Sequence, residues 1–305
     1  MAAMPDILAS STAVDLSRLP APTVIEQLSF DMIFADLLDL IRQPQLLPAF
    51  DATVASDPAV KILEVFAYRE MLLRQQFNDR ALQLMVAYAT GANLDNLAAL
   101  VGVGRLVLHP GEPSQDVAPT FESDDALRQR IVLAAESFSV AGPELAYVFH
   151  AKSADGDVLD ASAISPAPGE VLVSVLSRAG DGTAPADTLA AVEAIVNDRA
   201  IRPLGDLVTV ASAEILQFTI DATLHTFSGP DLNVVLAAAE ARLLAYLDES
   251  RRLGRDITTS GLIAALMVAG VQRVILAEPS ADVICGPTQA AHCTEISVGH
   301  GGYAE

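Results

Sequence analysis

The stretch that decides the fold begins with Glu122-Ser123-Asp124-Asp125-Ala126-Leu127-Arg128-Gln129-Arg130-Ile131 and runs to Thr226. Ser123 is a typical N-cap, and the two aspartates after it favour the positive end of a helix. Short runs of alternating apolar residues follow, separated by Pro/Gly turns, in the order helix, helix, strand pair, helix, strand pair. This order predicts an α+β domain built on an antiparallel sheet.

The pattern also gives approximate limits for each element of this stretch. After the helix that starts at Ser123, Gly142-Pro143 breaks the chain. We predict two more helices, Glu144–Ser153 and Asp187–Arg199, and four strands: Val158–Ile164, Glu170–Leu176, Leu207–Ser212 and Ile215–Leu224.

The N-terminal third is predicted to be helical, with an amphipathic helix over Phe30–Gln43. Asp57 and Pro58 start a second helix that meets no Gly or Pro before Thr90, a length of about 48 Å. Its apolar residues recur at coiled-coil-like spacing, and a second apolar set lies off that stripe. The stripe is either the core of an internal bundle or partly an interface with another chain, and its candidate interface residues are Leu63, Phe66, Leu73, Phe77, Leu84 and Tyr88.

Breaks in composition divide the chain into four parts. Residues 1–108 form an N-terminal tail (loose over 1–14) and a helical domain, and residues 109–119, rich in Pro and Gly, form a linker. Residues 120–226 are the central α+β domain, and 227–305 are a C-terminal α+β subdomain and tail with helices at 230–249 and up to 269 and strands at 271–277 and 294–298. The predicted fold class is α+β, with an N-terminal helical domain followed by mixed helix/antiparallel-sheet subdomains.

Charge and composition exclude several classes of protein. The formal net charge is −21, from 18 basic and 39 acidic residues. Such a field repels phosphate backbones, so no nucleic acid is expected as a partner. Two cysteines cannot build a disulfide scaffold. We expect neither a signal peptide nor a membrane-spanning segment, because the N-terminus lacks basic residues and every apolar run is too short.

Sites for catalysis or ligand binding are thinly represented, and we expect no catalytic residue, cofactor or metal. No phosphate-binding glycine motif or Gly-x-Ser-x-Gly elbow occurs. Asp155-Gly156-Asp157 with Asp160 lacks calcium-loop spacing and is read as a turn. The one set that resembles a zinc site is poorly arranged, since two members are adjacent on a predicted strand and would point apart; it comprises Cys285, His292, Cys293 and His300.

Many short motifs, in the same order, are similar to those of a known family. Within the central stretch they are Glu122-Ser123-Asp124 with Arg128 and Arg130, Ser139-Val140-Ala141-Gly142-Pro143, Tyr147-Val148-Phe149-His150, Ser153-Ala154-Asp155-Gly156, Ile164-Ser165-Pro166, Val173-Ser174-Val175-Leu176-Ser177-Arg178 and Arg202-Pro203. Elsewhere they are Leu19-Pro20-Ala21-Pro22, Ala67-Tyr68-Arg69-Glu70, Leu94-Asp95-Asn96-Leu97, Arg252-Leu253-Gly254-Arg255-Asp256-Ile257 and Gly270-Val271-Gln272-Arg273-Val274. The chain resembles the J-like baseplate proteins of contractile phage tails and R-type tailocins, most of all those of P2-like phages.

The resemblance implies a structural role in a baseplate wedge and no enzyme activity. It implies these partners: a second copy of the chain, a smaller I-like baseplate protein in a helical bundle, the sheath-initiating wedge protein, and neighbouring wedges in a sixfold ring. The ring would surround the tube and relay the contraction trigger, and residues 109–119 would yield during that change. The protein would stay in the bacterial cytoplasm during assembly and then lie in the tail baseplate of the released particle.

Two alternatives come from other classes of protein. One is a free-standing peptide- or protein-binding module that uses its sheet edges. The other is a hydrolase with an acidic site, which would need converging carboxylates of raised pKa.

Overall fold

The computed structural model describes residue 20 and residues 29–51, 54–139, 142–229 and 231–303. The predicted loose tail 1–14, Leu19, Ala21-Pro22, Val140-Ala141 and the predicted helix start at Pro230 lie outside these residues. The chain divides into two compact units, Val14–Gly104 and a larger unit that contains Arg105–Glu305. Among the described helices, none combines the length and the apolar character needed to cross a lipid bilayer.

The smaller unit contains the helices α1 (Phe30–Ile41), α2 (Pro58–Leu82) and α3 (Gly91–Ala99). Side chains cap the first two, since Ser29 Oγ accepts from Met32 N at 3.4 Å and Asp57 Oδ1 accepts from Ala59 N at 2.8 Å. α1 packs against α2. Small and medium apolar side chains form the interior of this unit: Ile33, Val60, Leu63, Ala67, Ala89, Leu94 and Ala98.

α2 is shorter than the sequence predicted, because it ends at Leu82 rather than Thr90. At 1.5 Å per residue it is about 37 Å long instead of 48 Å. Gln83 explains the difference: its side-chain oxygen accepts from Thr90 N at 2.9 Å and Asn93 Nδ2 at 3.2 Å, and its amide donates to Tyr88 O at 3.3 Å. One glutamine thus closes a turn that contains no Gly or Pro.

The larger unit starts with a short strand pair. β1 (Val107–His109) pairs antiparallel with β2 (Thr120–Phe121), on either side of the predicted linker 109–119. Within that loop Glu112 bridges to Val117, and Gly111 has a φ of 76° with Val117 O only 2.5 Å from where a Cβ would lie. The loop therefore begins and ends at backbone that is hydrogen-bonded between β1 and β2.

The first main sheet has the order β3-β4-β5, formed by β3 (Val158–Ile164), β4 (Glu170–Ser177) and β5 (Leu207–Ser212). Helices α4 (Asp124–Leu133), α5 (Glu144–Ala154) and α6 (Ala186–Val196) accompany it, and Ser123 caps α4 as predicted. The two latter helices pack on the sheet, and their buried side chains join those of the strands. The core of this lobe includes Leu133, Tyr147, Val148, Ala151, Val158, Ala163, Val173, Val175, Val192, Val196 and Val208.

The second sheet has the order β7-β6-β8, with β6 (Glu214–Thr226) in the centre, β7 (Val271–Glu278) and β8 (Gln289–Tyr303). Helices α7 (Leu232–Ser250) and α8 (Thr259–Leu266) cover one face. The core of this lobe includes Ile220, Ala222, Leu224, Val235, Ala239, Leu243, Ile257, Leu262, Leu266 and Val271.

The α+β class is confirmed, but two expectations about the sheets are wrong. Both sheets are mixed rather than antiparallel, because β4 runs parallel to β5 and β6 runs parallel to β8. The helical crossover α6 returns the chain to the same end of the sheet, which makes β5 parallel to β4. In addition, β6 does not belong to the first sheet, although only Ala213 separates it from β5.

The two sheets are joined at Ala213. Its N–H donates to Val175 O in the first sheet at 2.8 Å, and the next N–H, of Glu214, donates to Thr288 O at 3.0 Å. Ser162 Oγ donates to Pro287 O at 2.6 Å beside this junction. A small apolar cluster fills the space between the sheets: Leu176, Ala213, Leu253 and Ala290.

Candidate assembly interface

The structure separates the predicted stripe on α2 into buried and exposed members. Leu63 is only 9% exposed and belongs to the interior of the smaller unit. Phe66, Leu73 and Phe77 are 61%, 61% and 58% exposed. Leu84 is exposed as well but lies beyond the end of α2, and Tyr88 is half-buried in the turn that Gln83 closes. The predicted six residues therefore do not form one continuous surface.

A continuous apolar row does exist on α2, but it begins at the exposed Ile62 rather than at the buried Leu63. Ile62, Phe66, Leu73 and Phe77 follow one another at intervals of four, seven and four residues, and Ile62 is 58% exposed. These intervals place the four side chains on one side of the helix. The buried residues Val60, Leu63 and Ala67 lie about 100° away around the helix axis. We call Ile62, Phe66, Leu73 and Phe77 the α2 row.

The α2 row has the features of a surface that packs against another helix. Each of its side chains would gain about 1.5–3 kcal/mol if it were removed from water. Its four-seven-four spacing keeps the four side chains on one stripe of a 3.6-residue helix, as in an amphipathic helix that packs against a partner. Polar pairs occupy other parts of the helix surface, such as Lys61 with Glu64 at 2.7 Å and Gln75 with Asp79 at 2.9 Å. A row of large apolar residues bordered by charges is typical of a helix that docks on a partner.

The larger unit has a charged cleft of about 280 Å³. Two of its acidic side chains stabilise the fold: Glu122 accepts from Arg130 at 2.6 Å and from Leu106 N at 2.9 Å, and Asp160 accepts from Lys152 at 3.2 Å and Leu253 N at 3.1 Å. Burial lowers the pKa of the Arg130 guanidinium, and the Glu122 carboxylate opposes this shift. The lining carries equal numbers of acidic and basic groups: Glu122, Asp125, Asp160, Asp248 and Glu249 with Arg130, Lys152, Arg178, Arg251 and Arg252.

The residues considered for metal binding do not converge. Cys285 is a buried residue of the loop before β8, and burial raises the pKa of its thiol to about 11, so it is uncharged at neutral pH. His292 and Cys293 are neighbours on β8, and His300 Nε2 is 3.1 Å from Thr226 Oγ1. Over the described ranges, no group of three His, Cys, Asp or Glu side chains is placed to hold a metal ion.

The Asp155–Asp157 turn likewise has an internal role. Asp157 Oδ2 accepts from Ser177 Oγ at 2.7 Å and from Thr188 Oγ1 at 3.3 Å, and Asp157 Oδ1 accepts from Ala179 N at 3.2 Å. Both carboxylate oxygens are thus used to join the turn to β4 and α6. This agrees with the prediction of a structural turn.

Comparisons with known proteins identify the family of this chain. Three family models match in order: the baseplate J-like N-terminal domain at residues 55–112, the central domain at 139–212 and the C-terminal domain at 218–299. Baseplate protein J of Escherichia phage P2 is 45% identical over 300 residues, 96% of this chain and 99% of that protein. The cryo-EM structure of the anti-feeding prophage baseplate, 6-fold symmetrised, contains a chain with a TM-score of 0.40 and 16% identity, the match covering 58% of this chain and 43% of that one.

The three family models and the relative of 45% identity define the class of this protein, a structural component of a tail baseplate. The chain belongs to the baseplate J-like family. The resemblance seen in the sequence is thereby confirmed. Because this family is a structural phage component, the protein is not an enzyme, and the hydrolase alternative is wrong.

Proposed function

We propose that this protein is a subunit of the baseplate wedge in a contractile injection tail. In this role it forms part of a ring around the tube and relays the signal that triggers sheath contraction. Membership of the baseplate J-like family gives the setting. The observation that carries the proposal is the α2 row, because four large apolar side chains on one helix call for a second chain to cover them.

The partner proposed for the α2 row is the smaller I-like baseplate protein, through a helical bundle. From Ile62 to Phe77 the row extends for about 22 Å, the length of four helical turns. A helix of the partner with large apolar residues at matching intervals would cover it. Val65 and Leu72, exposed by 62% and 37%, lie on an adjoining side of α2 and provide contacts for a further helix.

The remaining partners complete the wedge and the ring. We propose contacts with a second copy of the chain, with the sheath-initiating wedge protein and with neighbouring wedges in a sixfold ring. Assembly takes place in the cytoplasm of the bacterial host, before the particle is released. The division of the chain at residues 108 and 119 is part of the same proposal, with the next boundary at Ala213, between the two sheets.

Three leucines allow a matched test of the α2 row. Leu73 in the row is 61% exposed, Leu244 on α7 is 56% exposed, and Leu63 inside the smaller unit is 9% exposed. Each is changed to Ser, and each variant is co-expressed with the product of the neighbouring I-like gene. Circular dichroism reports the fold, and native mass spectrometry reports the complex.

We expect Leu73→Ser to stay folded and lose the complex, Leu244→Ser to keep both, and Leu63→Ser to lose the fold of the helical unit. Retention of the complex by Leu73→Ser at the wild-type ratio would show that the row is not the interface. A wild-type chain that stays monomeric beside the I-like protein but binds a peptide saturably would instead support the peptide-binding alternative.

A further inference from the structure

The long strand β8 has an open outer edge. It is an outer strand of the second sheet, and among the described residues its only strand neighbour is β6. Its first residues are covered, because Gly254 N donates to Gln289 O at 2.9 Å and Gly286 N donates to the Gln289 side chain at 2.8 Å. Further along, the side chains from Thr294 to Ser297 are all exposed.

Two irregularities in the ladder set the limits of the regular part of this edge. The register between β6 and β8 shifts after Phe218 and again after Leu224, opposite Cys293–Glu295 and His300–Tyr303. Between these points Glu295–His300 pairs regularly with Thr219–Leu224. This part of β8, which we call the open edge, is about 20 Å long at 3.3 Å per residue. Every second residue of such an edge directs its N–H and C=O away from the sheet.

The open edge lacks the residues that usually prevent strands from pairing with other chains. Natural edges are protected by Lys, Pro, inward-pointing charges or short length. β8 contains no Lys, Arg or Pro, and Glu295 is its only formally charged residue. The opposite edge strand, β7, is shorter, carries Arg273 and Glu278, and is followed directly by Pro279. The β7 edge is therefore protected against pairing with another chain, whereas the β8 edge is only weakly protected.

We infer that the open edge, Glu295–His300, pairs antiparallel with the same segment of a second copy of this chain, which joins two three-stranded sheets into one. The first argument for this occupant is charge. Two copies with a net charge of −21 each repel one another over most of their surface. From Val283 to Tyr303 the only formally charged residue is Glu295, so this is a segment where two acidic copies can approach closely.

The second argument is the self-complementary order of residues in the open edge. A two-fold axis between antiparallel strands must pass through one residue position, since facing side chains lie on the same side of a sheet. Centred on Ser297, the pairing places Glu295 opposite Gly299 of the second copy. Centred on Val298, it places Glu295 opposite Gly301 of the second copy. In either register the acidic side chain faces a glycine rather than its own counterpart.

The same registers bring apolar surface together. Ile296 lies opposite Val298 of the second copy in the first register and opposite His300 of the second copy in the second. Ile296 is 38% exposed although it occupies the same side of the sheet as the buried Ile220, with which it pairs. Pairing with a second copy would cover it.

This inference rests on the proposed function, in which the wedge contains a second copy of the chain. It is tested on the isolated full-length chain. Sedimentation velocity from about 1 to 300 μM measures self-association, and hydrogen exchange at both ends of this range locates protected amides. Ser297→Asp adds an acidic group that faces its own counterpart in the first register and lies diagonally across from it in the second. Ala277→Asp adds the same charge at an exposed position on β7 and is the matched control.

We expect concentration-dependent dimers with slower exchange over residues 295–300, about tenfold weaker dimers for Ser297→Asp, and no change for Ala277→Asp. A wild-type chain that stays monomeric throughout, or equal effects of the two substitutions, would overturn the inference. So would protection of residues 295–300 that develops only with a different protein. A monomeric chain that still binds the I-like protein through the α2 row would disprove this pairing alone and leave the proposed function standing.

Discussion

Arg130 donates a hydrogen bond to Glu122 across 2.6 Å, and the two side chains are only 5% and 2% exposed. Glu122 precedes the cap of α4, and Arg130 lies near the end of the same helix. The same carboxylate oxygen accepts from Leu106 N at 2.9 Å. One enclosed ion pair thus holds the chain just before β1 against the first helix of the larger unit.

We expect Arg130→Met to lower the free energy of unfolding of the larger unit by about 3–5 kcal/mol, because it leaves the Glu122 carboxylate buried without its cation. Denaturant titration measures the change. Asp125→Asn is the control: this carboxylate, which pairs with Arg128, is 88% exposed, so a loss below about 1 kcal/mol is expected. In a cycle with Glu122→Gln, the double variant should cost less than the two single variants added together. Strict additivity would show that the pair is not coupled.

The thiol of Cys285 gives a prediction for alkaline pH. Burial, with a smaller contribution from Asp256, raises its pKa from 9.0 to about 11. Between pH 9 and 11 the unfolded state loses this proton before the folded state does, so stability is complete below pH 9 and declines towards pH 11. We expect a contribution of about 1–2 kcal/mol over this range, allowing for partial solvent access. Cys285→Ala should flatten this part of the stability profile, and an unchanged profile would contradict the assignment.

Alanine substitutions at Gly142 and Gly180 allow the cost of backbone strain to be measured separately from that of steric overlap. Gly142 and Gly180 have φ values of 77° and 57°, so an Ala at either position costs roughly 1 kcal/mol in backbone conformation alone. A Cβ on Gly142 would also lie 2.7 Å from Pro203 Cγ, whereas one on Gly180 would meet nothing within 4 Å. We expect Gly142→Ala to lower the melting temperature clearly more than Gly180→Ala. Equal shifts would mean that the 203–206 turn moves aside freely.

The loop at residues 109–119 gives a prediction about assembly. Because β1 and β2 pair at its ends, removal of Pro113–Gln115 should leave the melting temperature within a few degrees of wild type. The sequence predicts that the shortened chain nevertheless fails in baseplate assembly or triggering. Complementation of a deletion strain, with electron microscopy of extended and contracted tails, measures this. Normal contraction by the shortened chain would reject a role for the loop length.

Local features of the sequence predicted the elements of the larger unit well. The N-cap at Ser123 and the alternating residues of β3, β4 and β5 are signals that neighbouring residues carry by themselves. Strand pairing is different, because it depends on where a crossover returns the chain. For this reason the parallel pairs, and the transfer of β6 to a second sheet, could not be derived from periodicity.

The interface prediction was limited by register and by one side chain. Leu63 and Ile62 are adjacent and similar in hydrophobicity, so spacing alone could not show which of them faces the interior. The turn after Leu82 depends on Gln83, whose amide is bonded to Tyr88, Thr90 and Asn93, and no general rule marks a glutamine as a helix stop. The family resemblance predicted the function more specifically than any single motif did.

The single residue between β5 and β6 has a mechanical consequence. A pull applied to the edge of one sheet reaches the other sheet through consecutive peptide bonds, without relying on side-chain contacts that could slide. The two lobes of the larger unit are therefore coupled through the backbone itself at Ala213, which also donates a hydrogen bond to Val175 O.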